Sequence, residues 1–269
     1  MTNSLYYDHD ESYLPDDCKV KISPSKFSAF ISQKHKWYRE VILKEDGFNG
    51  STASVIGTLV HYIAECVASR KEIDKDAIYS YIDSHKDLED YCAETVRNSF
   101  EEMASVLINN YVLANMDNYL EVETRHTAKV GKGVYASGTL DFLEGTKEDC
   151  CIGDYKTYNS KSKPKVIPQG YKYQLLVYAY ILKKTGYNPT RMKLVYVNRN
   201  IDGGISEKTG KPLKSYPPEV TVLVEEITEE DMEFITGLLE LCADTVAAGE
   251  KHPELLHVIY ADPRLKEGE

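Results

Sequence analysis

G153-D154-Y155-K156-T157, preceded by G138-T139-L140-D141, is the stretch on which the fold turns. Residues 134–143 alternate as a strand does, T146-K147-E148-D149 reads as a turn, and residues 150–157 resume as a strand. In that second strand Asp154 and Lys156 are two apart and share a face, while Tyr155 takes the other. A hairpin centred between Lys147 and Glu148 sets Asp141 opposite Asp154, with Cβ atoms about 5 Å apart, and puts Lys156 one pleat further along. Two carboxylates this close repel unless a proton or a cation sits between them. A divalent ion such as Mg²⁺ or Mn²⁺, which prefers oxygen ligands, is one resolution. A solvent-facing charged hairpin with Lys156 in a rim salt bridge is the other, and a slip of one residue abolishes the geometry.

Working outward, residues 119–130 alternate as a strand and G131-K132-G133 is a tight turn into the strand at 134. Upstream the pattern is helical, over residues 26–41, from about 54 or 57 to 69, over 74–85 and over 88–115. Downstream a helix is expected over 169–185, strands over 191–198 and 219–225, and a helix capped by Thr228 to about 248. Residues 1–22 read as an acidic tail or surface strap and 23–269 as a single domain. The order of helices, antiparallel strands, helix, two strands and helix predicts an α/β fold, a mixed central sheet flanked by helices with a helical N-terminal region.

The chain of 269 residues carries a net charge of −11, which argues against a general nucleic-acid binder. A local basic lining can still hold a phosphate backbone under such a charge. The longest apolar run, residues 175–182, falls short of the roughly 20 residues that cross a bilayer. The polar start lacks the pattern of a secretory signal, so a cytoplasmic protein without membrane contact is expected. Cys18, Cys66, Cys92, Cys150, Cys151 and Cys242 form no C-x-x-C pair and read as reduced thiols.

Two further stretches bear on the acids. G57-T58-L59-V60-H61 opens a helix with His61 beside the apolar stripe and Glu65 one turn on. On the helix after the hairpin Gln174 and Tyr178 share one face. A lone histidine is more often structural than a ligand, and a Gln/Tyr pair more often packs than binds. The order G-T-L-V-H, G-T-L-D, G-D-Y-K-T, Q-x-x-x-Y is more specific than any of its parts. Together with S23-P24-S25-K26-F27 and W37-Y38, it resembles the RecB-like branch of the PD-(D/E)XK nuclease superfamily, over residues 23–225.

That resemblance implies a restriction-endonuclease-like core and a divalent-metal-dependent deoxyribonuclease. It implies an exonuclease of recombination, repair or phage DNA metabolism, acting on linear DNA, single- or double-stranded, with a recombination or replication protein as a further partner. The alternative is a catalytically inactive member of the fold that binds nucleic acid or serves assembly. By resemblance His61, Asp141, Asp154 and the carbonyl of Tyr155 hold Mg²⁺ or Mn²⁺. Lys156 orients the attacking water and stabilises charge on the phosphate, with Asp141, Asp154 and Lys156 as the catalytic set. Gln174 and Tyr178 hold the substrate backbone. Many relatives carry an iron–sulfur cluster on four cysteines, but here Gln33 stands at the first position and Cys242 is alone near the end, so no cluster is expected. Lys161, Lys163 and Lys165, with Lys172 beyond them, read either as a solvated loop or as a phosphate-contacting rim. Lys34, His35, Lys36 and Arg39 form a second basic stretch. With no sequence-reading motif in view, little base specificity is expected.

Overall fold

The computed structural model describes residues 5, 12–45, 51–85, 91–160, 162–201, 203–206 and 208–252. The first elements among the described residues are a short strand, β1 (Val20–Ile22), and a helix, α1 (Pro24–Ser32), with proline in its first turn. Gln33 leaves helical geometry and the chain resumes as α2 (Lys34–Trp37) and a π-turn over Tyr38–Ile42. Phe30 and Trp37 keep an edge-on contact at 5.0 Å across that break, so the apolar spacing alone does not announce it. Three longer helices follow, α3 (Thr52–Ala68), α4 (Lys75–Ser84) and α5 (Ala93–Leu107). A π-turn over Ile108–Val112 and the single turn α6 (Leu113–Asn115) complete the helical region. The expected start of the helix at residue 88 lies outside the described residues.

The sheet is built from β1, β2 (Tyr119–Gly131), β3 (Val134–Gly145), β4 (Cys150–Tyr158), β5 (Pro189–Asn198) and β6 (Val220–Glu226). Helix α7 (Gln169–Lys184) crosses between β4 and β5, which are parallel, and α8 (Glu229–Lys251) follows β6. The other main pairs, β2–β3, β3–β4 and β5–β6, are antiparallel, so the sheet is mixed as expected. One apolar core lies between the sheet and α1, α7 and α8, and a second between the sheet and α3, α4 and α5. Among the described residues no helix is long and apolar enough to cross a membrane. All six cysteines are free thiols.

One correction concerns the N-terminus. The expected tail over 1–22 ends in β1, which pairs in parallel with β3 over Val134, Tyr135 and Ala136. Three residues are too few to show alternation, which is why the sequence pattern misses them. The strand matters to the site. β2 lines one edge of β3 along nearly its whole length. The opposite edge is shared by β1, at Val134–Ala136, and β4, whose ladder covers Phe142 to Gly145. Between them, residues 137–141 have no strand partner on that edge.

Candidate active site

The hairpin register is the expected one, with Leu143 opposite Ile152 and Phe142 opposite Gly153. The ladder then stops, one residue short of the acid pair. Leu140 packs into the α7-side core and Phe142 into the α3-side core, so strict strand alternation breaks at Asp141. The backbone N–H of Tyr155, left without a strand partner, donates to Asp141 Oδ2 at 2.6 Å. The carboxylate thus replaces a ladder bond, a correction to the simple side-by-side pair. Gly153 is required here because the Phe142 ring lies across it: a Cβ would fall 1.8 Å from Phe142 Cε2. On its other edge β4 stays paired with β5 from Cys150 to Tyr158, which holds the acids and the lysine on a fixed strand.

Helix α3 brings His61 to the same point. Ser51 and Ser54 form a reciprocal cap that fixes its start, and Val55, Ile56, Leu59, Val60 and Ile63 bury one side. One turn before His61, Gly57 lets the helix approach β4, since a Cβ there would sit 3.3 Å from Thr157 Oγ1. His61 Nδ1 lies 3.2 Å from Asp141 Oδ2. Burial opposes the charged imidazole, but Asp141 outweighs it and raises the His61 pKa. Burial likewise opposes Asp141 ionisation, yet His61, Lys156 and the Tyr155 N–H together hold its pKa below the usual carboxylate value.

Asp154 is only 5% exposed. Its Oδ1 accepts from Gln174 Nε2 at 3.1 Å, which ties α7 to the site. Its Oδ2 touches the ammonium of Lys156 but has no partner in good hydrogen-bond geometry. Burial, reinforced by the charge of Asp141 against the opposing Lys156, raises the Asp154 pKa. Burial works against the Lys156 charge, but the two acids keep its pKa above the ordinary value. Its Nζ lies 4.9 Å from the centroid of the Tyr171 ring. Tyr178 Oη donates to the carbonyl of Thr139 at 2.5 Å, bracing the unpaired edge of β3.

A third carboxylate belongs here that the sequence reading missed. Glu123 sits on β2 between the ladder pairs Val122–Phe142 and Thr124–Leu140, and so opposite Asp141. It has a positive φ of 47°, an uncommon conformation for a residue with a Cβ. Gly57, Thr58, His61, Glu123 and Asp141 line one cleft of about 330 Å³. Burial first, then the charges of Asp141 and Glu65, push the Glu123 pKa up to about 8. The signal was present: a β2–β3 hairpin symmetric about Lys132 puts Glu123 against Asp141.

His61, Asp141, Asp154, Tyr155, Lys156, Gln174 and Tyr178 are therefore brought together. The lysine rim is not. Lys163 pairs with Glu219 at 2.8 Å and Lys172 with Asp231 at 2.9 Å, while Lys165 is exposed and Lys161 lies outside the described residues. In the second basic stretch Lys36 lies 3.7 Å from Glu40 and Arg39 2.5 Å from Glu45.

Among the described residues no three His, Cys, Asp or Glu side chains already converge as a metal cluster. The donors nevertheless fit a hard divalent cation. Three carboxylates, Glu123, Asp141 and Asp154, lie along neighbouring strands with only His61 and Lys156 as cations among them. Oxygen and imidazole donors of this kind suit Mg²⁺ or Mn²⁺.

An exonuclease-assigned protein from Eubacterium rectale aligns with TM-score 0.48 and 15% identity, over 90% of this chain and 83% of its own. An alkaline exonuclease from Laribacter hongkongensis gives TM-score 0.44 and 10% identity, over 90% and 95%. A phage-related exonuclease from Haemophilus somnus 129PT gives 0.36 and 12%, over 86% and 96%. No curated protein sequence matches significantly. The family model of the PD-(D/E)XK nuclease superfamily matches residues 21–253, from β1 through α8. The chain belongs to the PD-(D/E)XK nuclease superfamily.

Proposed function

We propose that this nuclease is a divalent-metal-dependent deoxyribonuclease that hydrolyses phosphodiester bonds from the ends of linear DNA. Its setting would be the cytoplasm, in recombination, repair or phage DNA metabolism. The observation that carries the reading is the row of three carboxylates, Glu123, Asp141 and the buried Asp154, sharing His61 and Lys156 as their cations. Such an arrangement is costly without a cation. His61, Asp141, Asp154 and the carbonyl of Tyr155 would hold Mg²⁺ or Mn²⁺, with Glu123 beside them. A divalent ion supplies charge neutralisation at the phosphate and acidifies water.

The chain's own residues supply the rest. Lys156, charged and anchored on β4 by Asp154, presents a cation to the developing negative charge of the phosphate and orients the attacking water. Gln174 acts first on Asp154, fixing its orientation, and Tyr178 on Thr139, so both position the site from α7. The family expectation that they hold the substrate backbone is compatible with those bonds only at the solvent side of each group. We assign the chain from β1, at residue 20, onward to one nuclease domain, with residues 1–19 as an acidic N-terminal segment.

The test is degradation of linear and closed circular DNA with Mn²⁺, Mg²⁺ or EDTA, alongside Lys156→Ala and Asp154→Ala. Metal-dependent loss of the linear form alone, absent in both variants, is expected. A folded protein that cuts neither form in any metal would pass the reading to an inactive binding or assembly subunit.

A further inference from the structure

The unpaired edge of β3 opens into a second and larger cleft, of about 680 Å³. Its floor is Gly138 and Thr139, on the same strand as Asp141 and two to three residues before it. At about 3.3 Å per residue, the floor starts about 7 Å from the acids. The floor is rigid. Gly138 packs against Pro24, and Tyr178 holds the Thr139 carbonyl. Arg125 on β2 lies opposite Thr139 and donates to its Oγ1 at 3.3 Å. The Arg125–Thr139 pair thus lies two residues along the β2–β3 ladder from Glu123 and Asp141.

The lining is basic in a chain that is not. Lys21, Lys26, Lys44 and Arg125 face the cleft, with Glu40 and Glu45 as the acids among its walls. Lys26 reaches Glu40 only at 3.9 Å. An aromatic ring from the N-terminal segment lies in the mouth: the Arg125 guanidinium is 4.0 Å from the centroid of the Tyr13 ring, and Lys21 donates to the Tyr13 hydroxyl at 3.1 Å. A flat ring against an arginine, with cations on either side, is the arrangement in which a nucleobase stacks while its phosphates are held. A cavity of this size takes a drug-sized group. It is of a size to take a nucleotide or two of one strand.

We propose that this cleft binds a single strand of nucleic acid next to the acid row. Lys21, Lys26, Lys44 and Arg125 hold its phosphates, and one base takes the place that the Tyr13 ring now fills. The inference rests on the nuclease reading above and extends it to the path of the strand. It also locates the positive surface that a net charge of −11 conceals. Tyr13 then competes with the substrate for Arg125, so the N-terminal segment weakens binding in its resting position.

The experiment is fluorescence anisotropy of a labelled single-stranded oligonucleotide in Ca²⁺, over a range of salt, with an unlabelled duplex as competitor. Lys26→Glu/Lys44→Glu is expected to weaken single-strand binding at least tenfold and to flatten the slope of log affinity against log salt by about 1.4, the loss of two phosphate contacts at about 0.7 each. Tyr13→Ala is expected to tighten binding severalfold. Because charge reversal also acts at a distance, a 4-thiothymidine strand is photocrosslinked to the wild type, and adducts should map to Tyr13, Tyr178 and their neighbours. Unchanged affinity and slope in the double variant, or adducts confined to residues 162–165, would overturn the cleft while leaving the nuclease intact. Preferential loss of duplex rather than single-strand binding would overturn it too. A wild type that binds no DNA in any metal would instead sink the nuclease reading itself, a different result. Unchanged melting temperatures in the variants separate these outcomes from misfolding.

Discussion

The β3–β4 hairpin has a single buried glutamate at its turn end and, at the other, an acid row shared with β2, and the two are built on different plans. At the turn end Glu144, 8% exposed, has both oxygens answered: Tyr111 Oη donates to Oε1 at 2.7 Å and the Lys193 ammonium pairs with Oε2. Lys193 also lies over the Tyr111 ring, so the charge is closed on every side. At the other end three carboxylates, Glu123, Asp141 and Asp154, share one histidine and one lysine. The same strand pair therefore keeps one acid as a structural tie and leaves three acids short of positive charge. A closed cluster stabilises; an open one is, on the function proposed above, the place for a divalent cation.

The contrast can be broken most strongly at Asp154. Asp154→Asn should lower DNA cleavage about a thousandfold, measured as initial rate. Its melting temperature should fall only slightly, because burial disfavours that carboxylate and Asp141 still faces the Lys156 ammonium. Glu144→Gln should do the reverse. Stripping one partner from a buried pair costs about 3–5 kcal/mol, read by denaturant unfolding, with the cleavage rate per folded molecule little changed. Smaller is the effect of metal: Mn²⁺ at a hundred times its dissociation constant should stabilise the wild type by about 2.7 kcal/mol in a thermal scan, and Asp154→Asn not at all. Smallest is Gly57→Ala, where a Cβ 3.3 Å from Thr157 Oγ1 should cost about 1 kcal/mol or less of stability. Since Gly57 seats the helix that carries His61, the cleavage rate should fall by a larger factor than the stability.

Much of this arrangement was legible in the residues. The turn at T146-K147-E148-D149 gave the hairpin register, and with it Asp141 and Asp154 as neighbours. The helical periods of α3 and α7 delivered His61 and Gln174 to the right side of the sheet. Two things were hidden. The end of the ladder at Phe142 depends on β1 and β4 sharing one edge of β3, a tertiary choice that period-two patterning does not encode. Glu123 was legible in principle from the turn at Lys132, yet its positive φ breaks the alternation that would have drawn attention to it. Where the loop lysines find partners could not be read from the sequence either: Lys163 and Lys172 meet acids that lie far off in the chain.

Titration of Mn²⁺ into wild type, Asp154→Asn and Glu144→Gln by isothermal calorimetry tests the distinction between open and closed clusters most directly. The account predicts binding to wild type and Glu144→Gln and its loss in Asp154→Asn. Equal binding by Asp154→Asn and wild type would contradict it.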